Sequence, residues 1–345
     1  MGFEAQLTEI LHKLPQSRQT LLFSATLPAS LVEFAKAGLQ DPLLIRLDLD
    51  SRISEDLETA FFTIKPVEKE AGLLYLLQEV IKVPIVDPNT PSESQSTNGK
   101  KRKRNESKGG GITPQSTLIF VSTKHQAEFI STLLRRANYP VSHVYGSLDQ
   151  VARRENVDSF RSGLTSILVV TDVAARGIDI PILSNVINYD FPAEPKIFVH
   201  RVGRTARAGQ RGWAYSLVTS HDAPYFCELI DFLGRRVVWN GAQLRQGGVS
   251  YSRELALGTI PRGGLERTME WIENVVRESN ELSALKSVAL KGDKLYLKTR
   301  GGQTGEMIKK AKALMQEEGW KLVNPLLGIR CFKGLSNDSY GGGTG

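Results

Sequence analysis

The sequence predicts an α/β protein built on a parallel sheet that helices cover on both faces. Five short apolar runs predict strands: Leu118–Val121, Val141–Tyr145, Ile167–Val170, Val186–Tyr189 and Trp213–Val218. Helical segments of roughly ten to fifteen residues lie between these runs. They begin near Lys124, Asp149, Ala174 and Lys196. Alternation of this kind indicates crossover connections between parallel strands. Ligands of such sheets meet the loops at the carboxyl ends of the strands.

The segment before this sheet predicts a helix and then a short buried strand. Apolar residues recur at helical spacing ahead of Pro15, at Phe3, Leu7, Ile10, Leu11 and Leu14. Gln19–Phe23 predicts the buried strand, which leads into Ser24-Ala25-Thr26. Ser24 or Thr26 could simply cap a following helix. Thr59–Lys65 then predicts an edge strand, and Ala71–Val80 predicts an apolar helix.

Residues 84–113 have the composition of a disordered insertion. They are rich in Pro, Ser, Asn, Gly and Thr and show no periodicity. Five adjacent basic residues, Lys100–Arg104, interrupt them. Such a run suits an importin or a nonspecific RNA contact, although a solvated charged loop without a role would look the same. We expect it to direct the protein to the nucleus.

The end of the chain predicts a small α+β accessory region. A helix over Asp222–Leu233 closes the sheet domain near residue 236. Beyond it, Glu266–Glu278 and Glu306–Glu318 predict helices. Ser287–Leu290 and Lys294–Thr299 predict a hairpin around Lys291-Gly292-Asp293. The Gly-rich residues 336–345 predict a disordered tail.

Composition excludes several classes of protein. The 345 residues are 41% hydrophobic and 23% charged, as in an ordinary globular protein of two or three domains. The net charge of +7 mildly favours a polyanionic partner. Cys227 and Cys331 fit neither a metal site nor a disulfide framework, which indicates a reducing compartment. We expect no membrane span and no signal peptide.

Residues 200–209 read His-Arg-Val-Gly-Arg-Thr-Ala-Arg-Ala-Gly and hold the strongest chemical signal. Arg201, Arg204 and Arg207 are three residues apart, so on one helix their guanidinium groups could converge on a polyanion. A solvated basic helix face is the alternative. Gly203 and Ala206 would keep the helix surface low beside the arginines, which favours close approach of a phosphate.

This stretch resembles the sixth motif of the DEAD-box RNA helicases. The resemblance implies a RecA-like fold and makes Arg204 and Arg207 the arginine fingers that reach the γ-phosphate of ATP held by another domain. His200 would link the nucleotide site to the DEAD box and the third motif. Residues 1–46 are similar to the end of the first helicase domain. There Ser24 and Thr26, in the third motif, would couple ATP hydrolysis to unwinding.

The loops of the predicted sheet resemble further motifs of that family. Thr171-Asp172-Val173-Ala174-Ala175-Arg176-Gly177-Ile178-Asp179 matches the fifth motif, Ser122-Thr123-Lys124 resembles the fourth, and residues 146–153 are close to Gly-x-x-x-Gln-x-x-Arg. The resemblance implies that RNA phosphates and sugars are bound by Ser122, Thr123, Gly146, Arg153 and Thr171. Asp179 would face the ATP ribose. Gly177 would belong to the nucleotide site and, like Thr171, would lie near RNA phosphate. Turns and helix caps would explain the Gly146 and Asp149 positions equally well.

The resemblance predicts residues 47–236 as the second RecA-like domain and residues 237–335 as the accessory region. No Walker A pattern or DEAD box occurs in the 345 residues, so ATP and Mg²⁺ would be bound mainly by the first domain. We therefore expect a helicase fragment that begins at an internal methionine and is inactive alone. A non-catalytic RNA-binding or assembly module is the alternative. Leu255–Pro261 and Gly292–Tyr296 resemble nucleolar family members of large ribosomal subunit assembly, which predicts a monomer acting on pre-ribosomal RNA in the nucleolus.

Overall fold

The computed structural model describes residues 4–15, 17–21, 23, 43, 45, 53–86, 113–207, 209–239, 249–317, 320 and 324–326. Contacts divide the chain into two units, Met1–Asp50 and Ser51–Gly345. Several predictions fall outside the described residues: the roles of Ser24 and Thr26, the run Lys100–Arg104, nearly all of the insertion, Cys331, and the tail. The predicted domain boundaries stay predictions.

The first unit contains one described helix, α1 (Glu4–Lys13), where the apolar spacing predicts it. The predicted buried strand at 19–23 is wrong for its described residues, because none is in a strand and Leu21 and Phe23 are 65% and 88% exposed. An apolar run becomes a buried strand only where neighbouring strands pair with it. No described residue of this unit supplies such a neighbour.

The second unit is organised on an eight-stranded sheet in which every pairing is parallel. Its strands are β1 (Leu57–Thr63), β2 (Thr117–Val121), β3 (Val141–Val144), β4 (Ile167–Thr171), β5 (Asn185–Asn188), β6 (Gly212–Val218), β7 (Val237–Val238) and β8 (Leu255–Thr259). The order across the sheet is β3-β4-β2-β5-β6-β1-β8-β7. All five strands predicted from apolar runs are confirmed, because strands buried on both faces read as continuous apolar segments.

The accessory region changes one strand's environment. β1 pairs with β6 on one side and with β8 on the other, so the predicted edge strand is an interior strand. Residues 60–63 of β1 match residues 256–259 of β8 in register. The region after residue 236 therefore extends the same sheet through β7 and β8 and does not form a sheet of its own.

Helices follow the strands, and the first six of these helices connect one strand to the next. They are α2 (Lys69–Tyr75), α3 (Lys124–Arg136), α4 (Gln150–Arg161), α5 (Asp172–Ala175), α6 (Pro195–Val202), α7 (Ala223–Leu233), α8 (Arg262–Glu278), α9 (Asn280–Thr299) and α10 (Gly305–Leu314). A 3₁₀ turn, Pro66–Glu68, precedes α2, and a π turn, Leu76–Val80, follows it. α5 is a single turn, much shorter than predicted. No described helix is both long and apolar enough to cross a membrane.

Two apolar layers enclose the sheet. Phe61 and Phe62 are adjacent in β1 and fully buried, and they belong to opposite layers because successive side chains of a strand alternate between faces. The Phe62 layer includes residues of α2, α3, α8 and α9, whereas the Phe61 layer includes residues of α6, α7 and α10. A smaller cluster with Phe160 lies under α4.

The predicted hairpin at 287–299 is wrong, because α9 runs unbroken from Asn280 to Thr299. Ser279 caps the helix by accepting a hydrogen bond from the Leu282 amide at 3.3 Å. Leu282 and Ala289 are buried at helical spacing against α3. Leu, Ala and Lys are strong helix formers, and they outweigh the turn signal of Gly292.

We predict that Gly292→Ala stabilises the protein by about 0.5–1 kcal/mol, because alanine loses less backbone entropy than glycine in a helix. A Cβ at residue 292 would lie 3.5 Å from Thr123 Oγ1, an ordinary contact distance. Urea unfolding measures the change. Gly234→Ala is the matched control and should destabilise, because Gly234 ends α7 with φ of +60°. A loss of stability in Gly292→Ala would contradict the continuous helix.

Candidate functional site

The predicted RNA-binding residues lie in consecutive loops at the carboxyl edge of the sheet. Strands β3, β4 and β2 are neighbours, and they lead directly into Gly146, Thr171 and Ser122-Thr123. The spacing of parallel strands is about 5 Å, which places these loops side by side. The sequence therefore predicted the position of this edge correctly, while the binding roles stay predictions.

Arg201 lies in the last turn of α6 and is 2% exposed. Its Nε and Nη2 donate to the two carboxylate oxygens of Asp172 at 2.6 and 2.7 Å. Its Nη1 donates to Asn188 Oδ1 at 3.2 Å and to the Asp190 carbonyl at 2.6 Å. With every one of these contacts made inside the domain, Arg201 cannot join the other arginines on a polyanion, and that part of the sequence-based prediction is wrong.

Arg204 and Arg207 lie beyond the end of α6, in what we call the finger segment, residues 203–207. Thr205 anchors this segment, because its hydroxyl donates to the Leu183 carbonyl, and the Leu183 amide donates to the Arg204 carbonyl at 3.1 Å. A Cβ at Gly212 would lie only 1.8 Å from Thr205 Oγ1, so only glycine lets β6 begin there. The finger segment is therefore fixed by the fold before any ligand binds.

The two small residues of the motif have different environments. A Cβ at Gly203 would lie 2.9 Å from the Val199 carbonyl and 3.2 Å from an Arg207 guanidinium nitrogen, so glycine does allow Arg207 to lie close to the helix end. Ala206 is buried in the Phe61 layer with φ of +54°. The prediction that Ala206 lowers the surface beside the arginines is wrong, because its methyl group points into the core.

Arg204 and Arg207 place two positive charges close together. Arg204 is half-buried, and Arg207 is exposed. Burial, and then the positive charge of Arg207, lower the pKa of the Arg204 guanidinium. No carboxylate among the described residues forms an ion pair with either side chain. Two neighbouring cations on a rigid segment favour an anionic ligand.

The turn formed by residues 172–179, which we call the fifth-motif turn, contacts the finger segment. Arg204 Nη2 donates to the Ala175 carbonyl at 3.2 Å. Gly177 follows with φ of +72°, in the left-handed region that favours glycine. Asp179 is exposed, and its carboxylate lies 3.0 Å from Arg161 Nη2. Gly177 and Asp179 thus lie just along the chain from the arginine contact. His200 is exposed on α6.

The predicted RNA-binding residues differ in accessibility. Gly146 is exposed at the end of β3, while Thr171 is 7% exposed. Arg153 donates to the Ala174 carbonyl at 2.8 Å and so braces the fifth-motif turn. Thr123 Oγ1 caps α3, accepting from the Gln126 amide at 3.1 Å, and Ser122 Oγ is buried. Gly292 and Tyr296 of α9 lie against these two hydroxyl groups.

A buried polar cluster, missed by the sequence analysis, supports these loops. The carboxylate of Asp190, after β5, accepts from Lys69 and from the Ser122 amide, the latter at 2.7 Å. The Lys69 ammonium lies 4.2 Å from the centre of the Tyr189 ring. Burial alone would raise the pKa of Asp190, but Lys69 and the Ser122 amide hold it below its usual value. The sequence signal for this cluster was the run Asn188-Tyr189-Asp190, which places polar side chains at the end of a predicted buried strand.

Asp293, on α9, faces this cluster. Burial, and then the negative charge of Asp190, raise the pKa of Asp293 to about 7. Glu70 lies nearby, and burial is the main cause that raises its pKa. The accessory region therefore adds a carboxyl group to a site that already holds two. No group of three or more His, Cys, Asp or Glu side chains suited to a metal ion occurs in the described part of the chain.

Comparisons with known proteins show that the chain is similar to named RNA helicases. Residues 111–209 match the family model "Helicase conserved C-terminal domain". The chain is 55% identical over 331 residues to the Neurospora crassa "ATP-dependent RNA helicase dbp-10", covering 95% of this chain and 35% of the relative. It is 53% identical over 336 residues to the Schizosaccharomyces pombe "ATP-dependent RNA helicase dbp10", covering 95% of this chain and 39% of the relative.

A solved structure with a similar fold is Saccharomyces cerevisiae Dbp5 bound to RNA and ADP BeF3. Its TM-score is 0.53 at 23% identity, over 80% of this chain and 60% of that one. The α/β RecA-like fold class and the resemblance to DEAD-box RNA helicases, both predicted from the sequence, are confirmed. The chain spans just over a third of the length of the curated relatives it matches.

We predict that Asp293→Asn changes how stability depends on pH. Asp293 has a folded pKa of about 7 and an ordinary value of 3.8. Between these values the folded state binds the extra proton, so the free energy of unfolding of the unaltered protein falls as pH rises. Asn cannot ionise, so the variant should gain stability over the unaltered protein as pH rises from 4 to 7.

Urea unfolding at several pH values between 4 and 8 measures the difference. Glu278→Gln, at an exposed position on α8, is the control and should leave the pH profile unchanged. A constant difference between Asp293→Asn and the unaltered protein across this range would show that Asp293 does not titrate in the folded state with a raised pKa.

Proposed function

We infer that this chain supplies the second RecA-like domain, with an accessory extension, of an ATP-dependent RNA helicase of the DEAD-box family. The observation that carries the proposal is the finger segment, which holds Arg204 and Arg207 together on a rigid support with no described carboxylate beside them. Relatives named as ATP-dependent RNA helicases, at more than half identity over nearly the whole chain, support the same activity.

In this proposal the arginines complete a nucleotide site formed with another domain. ATP with Mg²⁺ supplies the phosphoryl group, and hydrolysis develops negative charge on its γ-phosphate oxygens. Arg204 and Arg207 fit that group, because they are donors with no competing carboxylate among the described residues. Arg204 is also partly shielded from water, which strengthens its interaction with phosphate. Asp179 would face the ribose, and Gly177 would lie beside it in the nucleotide site.

The loops after β3 and β4 would bind the RNA backbone. Gly146 is exposed and brings a backbone amide to the surface without a side chain. Thr171 is the last residue of the neighbouring strand β4, and Arg153 holds the turn that follows it through the Ala174 carbonyl. Contacts of this kind reach phosphates and 2′-hydroxyl groups, so recognition should be independent of base sequence. Binding would clamp a short RNA segment and release its paired strand.

The proposed test uses Arg204→Ala in RNA-stimulated ATP hydrolysis, with the first helicase domain of a relative added separately. The variant should lose about 1,000-fold or more in kcat, because an arginine finger contributes about 10³–10⁵ to phosphoryl transfer. RNA binding without nucleotide, measured by fluorescence anisotropy, should change less than about twofold, since phosphate contacts to RNA are made elsewhere.

Arg267→Ala is the control, because Arg267 is an exposed arginine on α8, away from the carboxyl edge loops. It should leave both measurements unchanged. Equal loss of ATP turnover and RNA binding in Arg204→Ala would contradict the finger role. Turnover that survives in Arg204→Ala would contradict the proposed site altogether.

We further propose that the protein is a monomer that acts on pre-ribosomal RNA in the nucleolus. The basic run Lys100–Arg104 supports import through an importin, and the resemblance of residues 255–261 and 292–296 supports the ribosomal role. We predict that replacing the five basic residues with Gln moves a fluorescently tagged protein from the nucleus to the cytoplasm. Unchanged nuclear fluorescence would contradict the importin role of this run.

A further inference from the structure

The C-terminal end of α9 is docked on the carboxyl edge of the sheet through a buried arginine. Arg300 directly follows α9, and its side chain is 2% exposed. We propose that Arg300 is a positioning residue for the finger segment, acting through the turn between β5 and α6. This inference rests on the proposed function only for its effect on ATP turnover.

Arg300 joins two loops that are far apart in sequence. Its Nη1 donates to Asp222 Oδ1 at 2.6 Å, at the start of α7. Its Nη2 donates to the carbonyls of Phe191 and Pro192 at 3.1 and 2.8 Å. The guanidinium lies 3.5 Å from the centre of the Tyr225 ring, and the Tyr225 hydroxyl donates to the Gly301 carbonyl at 2.7 Å. The accessory region is thereby attached to the ends of β5 and β6.

The turn at residues 190–192 is held from two sides. Arg201 donates to the Asp190 carbonyl, and Arg300 donates to the next two carbonyls along the chain. α6 begins three residues later at Pro195 and ends at Val202, next to the finger segment. Phe198 stacks near Phe61 at 5.9 Å and keeps α6 on the core. A movement of this turn would shift α6 and carry Arg204 and Arg207 with it.

Removal of the Arg300 side chain would leave three acceptors without its hydrogen bonds. When one partner of a buried, hydrogen-bonded charge is removed, the remaining polar groups stay buried without a partner, which destabilises the folded state. Asp222 Oδ2 would keep its hydrogen bonds from the Thr219 amide and hydroxyl at 3.0 and 2.7 Å, but the buried Asp222 Oδ1 would lose its partner. Among the described residues, Arg300 is the donor that reaches the carbonyls of Phe191 and Pro192, and no second donor replaces it. Loss of the Arg300 side chain should therefore loosen both the 190–192 turn and the start of α7.

The experiment compares Arg300→Ala, Arg300→Lys and the control Lys298→Ala in the full chain. Lys298 is exposed in the last turn of α9, two residues before Arg300. Amide hydrogen exchange should speed up in residues 190–207 of Arg300→Ala, while β2 and β4 stay protected. With the first helicase domain added, kcat for ATP hydrolysis should fall about tenfold or more and KM should change less than about twofold, because small misplacements of catalytic groups mainly cost rate.

Arg300→Lys should recover only part of both effects, because a lysine can pair with Asp222 but lacks the planar fork that reaches two carbonyls at once. Lys298→Ala should match the unaltered protein. Exchange in Arg300→Ala that is unchanged at 190–207, or equally faster throughout the domain, would overturn the positioning role. If the unaltered protein shows no ATP turnover with the added domain, the proposed function fails, and hydrogen exchange alone still decides the role of Arg300.

Discussion

The ion pair between the buried Arg201 and the partly exposed Asp172 is the interaction on which the carboxyl edge of the sheet depends. It joins the end of α6 to the turn after β4, and both charges are satisfied with two hydrogen bonds between them. A guanidinium with so little access to water is costly unless every donor finds an acceptor. Asn188 and the Asp190 carbonyl complete that set. One side chain thus fixes the relative positions of three loops.

Positively charged side chains at this edge fall into two groups. Below the surface, Arg201, Lys69 and Arg300 each have a carboxylate partner and serve as internal supports for the loops. At the surface, Arg204 and Arg207 have none among the described residues. The internal pairs give the loops a defined geometry, and the unpaired arginines leave a positive charge at a fixed place. Preorganised charge of this kind needs no rearrangement when an anion binds, which makes the interaction stronger.

The sequence predicted the sheet well because strands buried on both faces have a simple signature. The five apolar runs needed no tertiary information. Prediction failed where a distant segment decided the outcome, because β1 is interior only through its pairing with β8. Gly292 carried a turn signal that the packing of α9 on α3 outweighs. Arg201 and Arg204 look alike in the motif. The position of Asp172 in the fold makes Arg201 an internal support, and the sequence does not show that position.

The two outer strands of the sheet are short. β3 has four residues and β7 has two, whereas the interior strands β1 and β6 have seven each. A chain that tried to pair with β7 would therefore gain very few backbone hydrogen bonds, and one at β3 only a few more. Short edges of this kind protect a parallel sheet against unwanted strand addition in a crowded solution. Recognition of other molecules is left to the loops and helix surfaces.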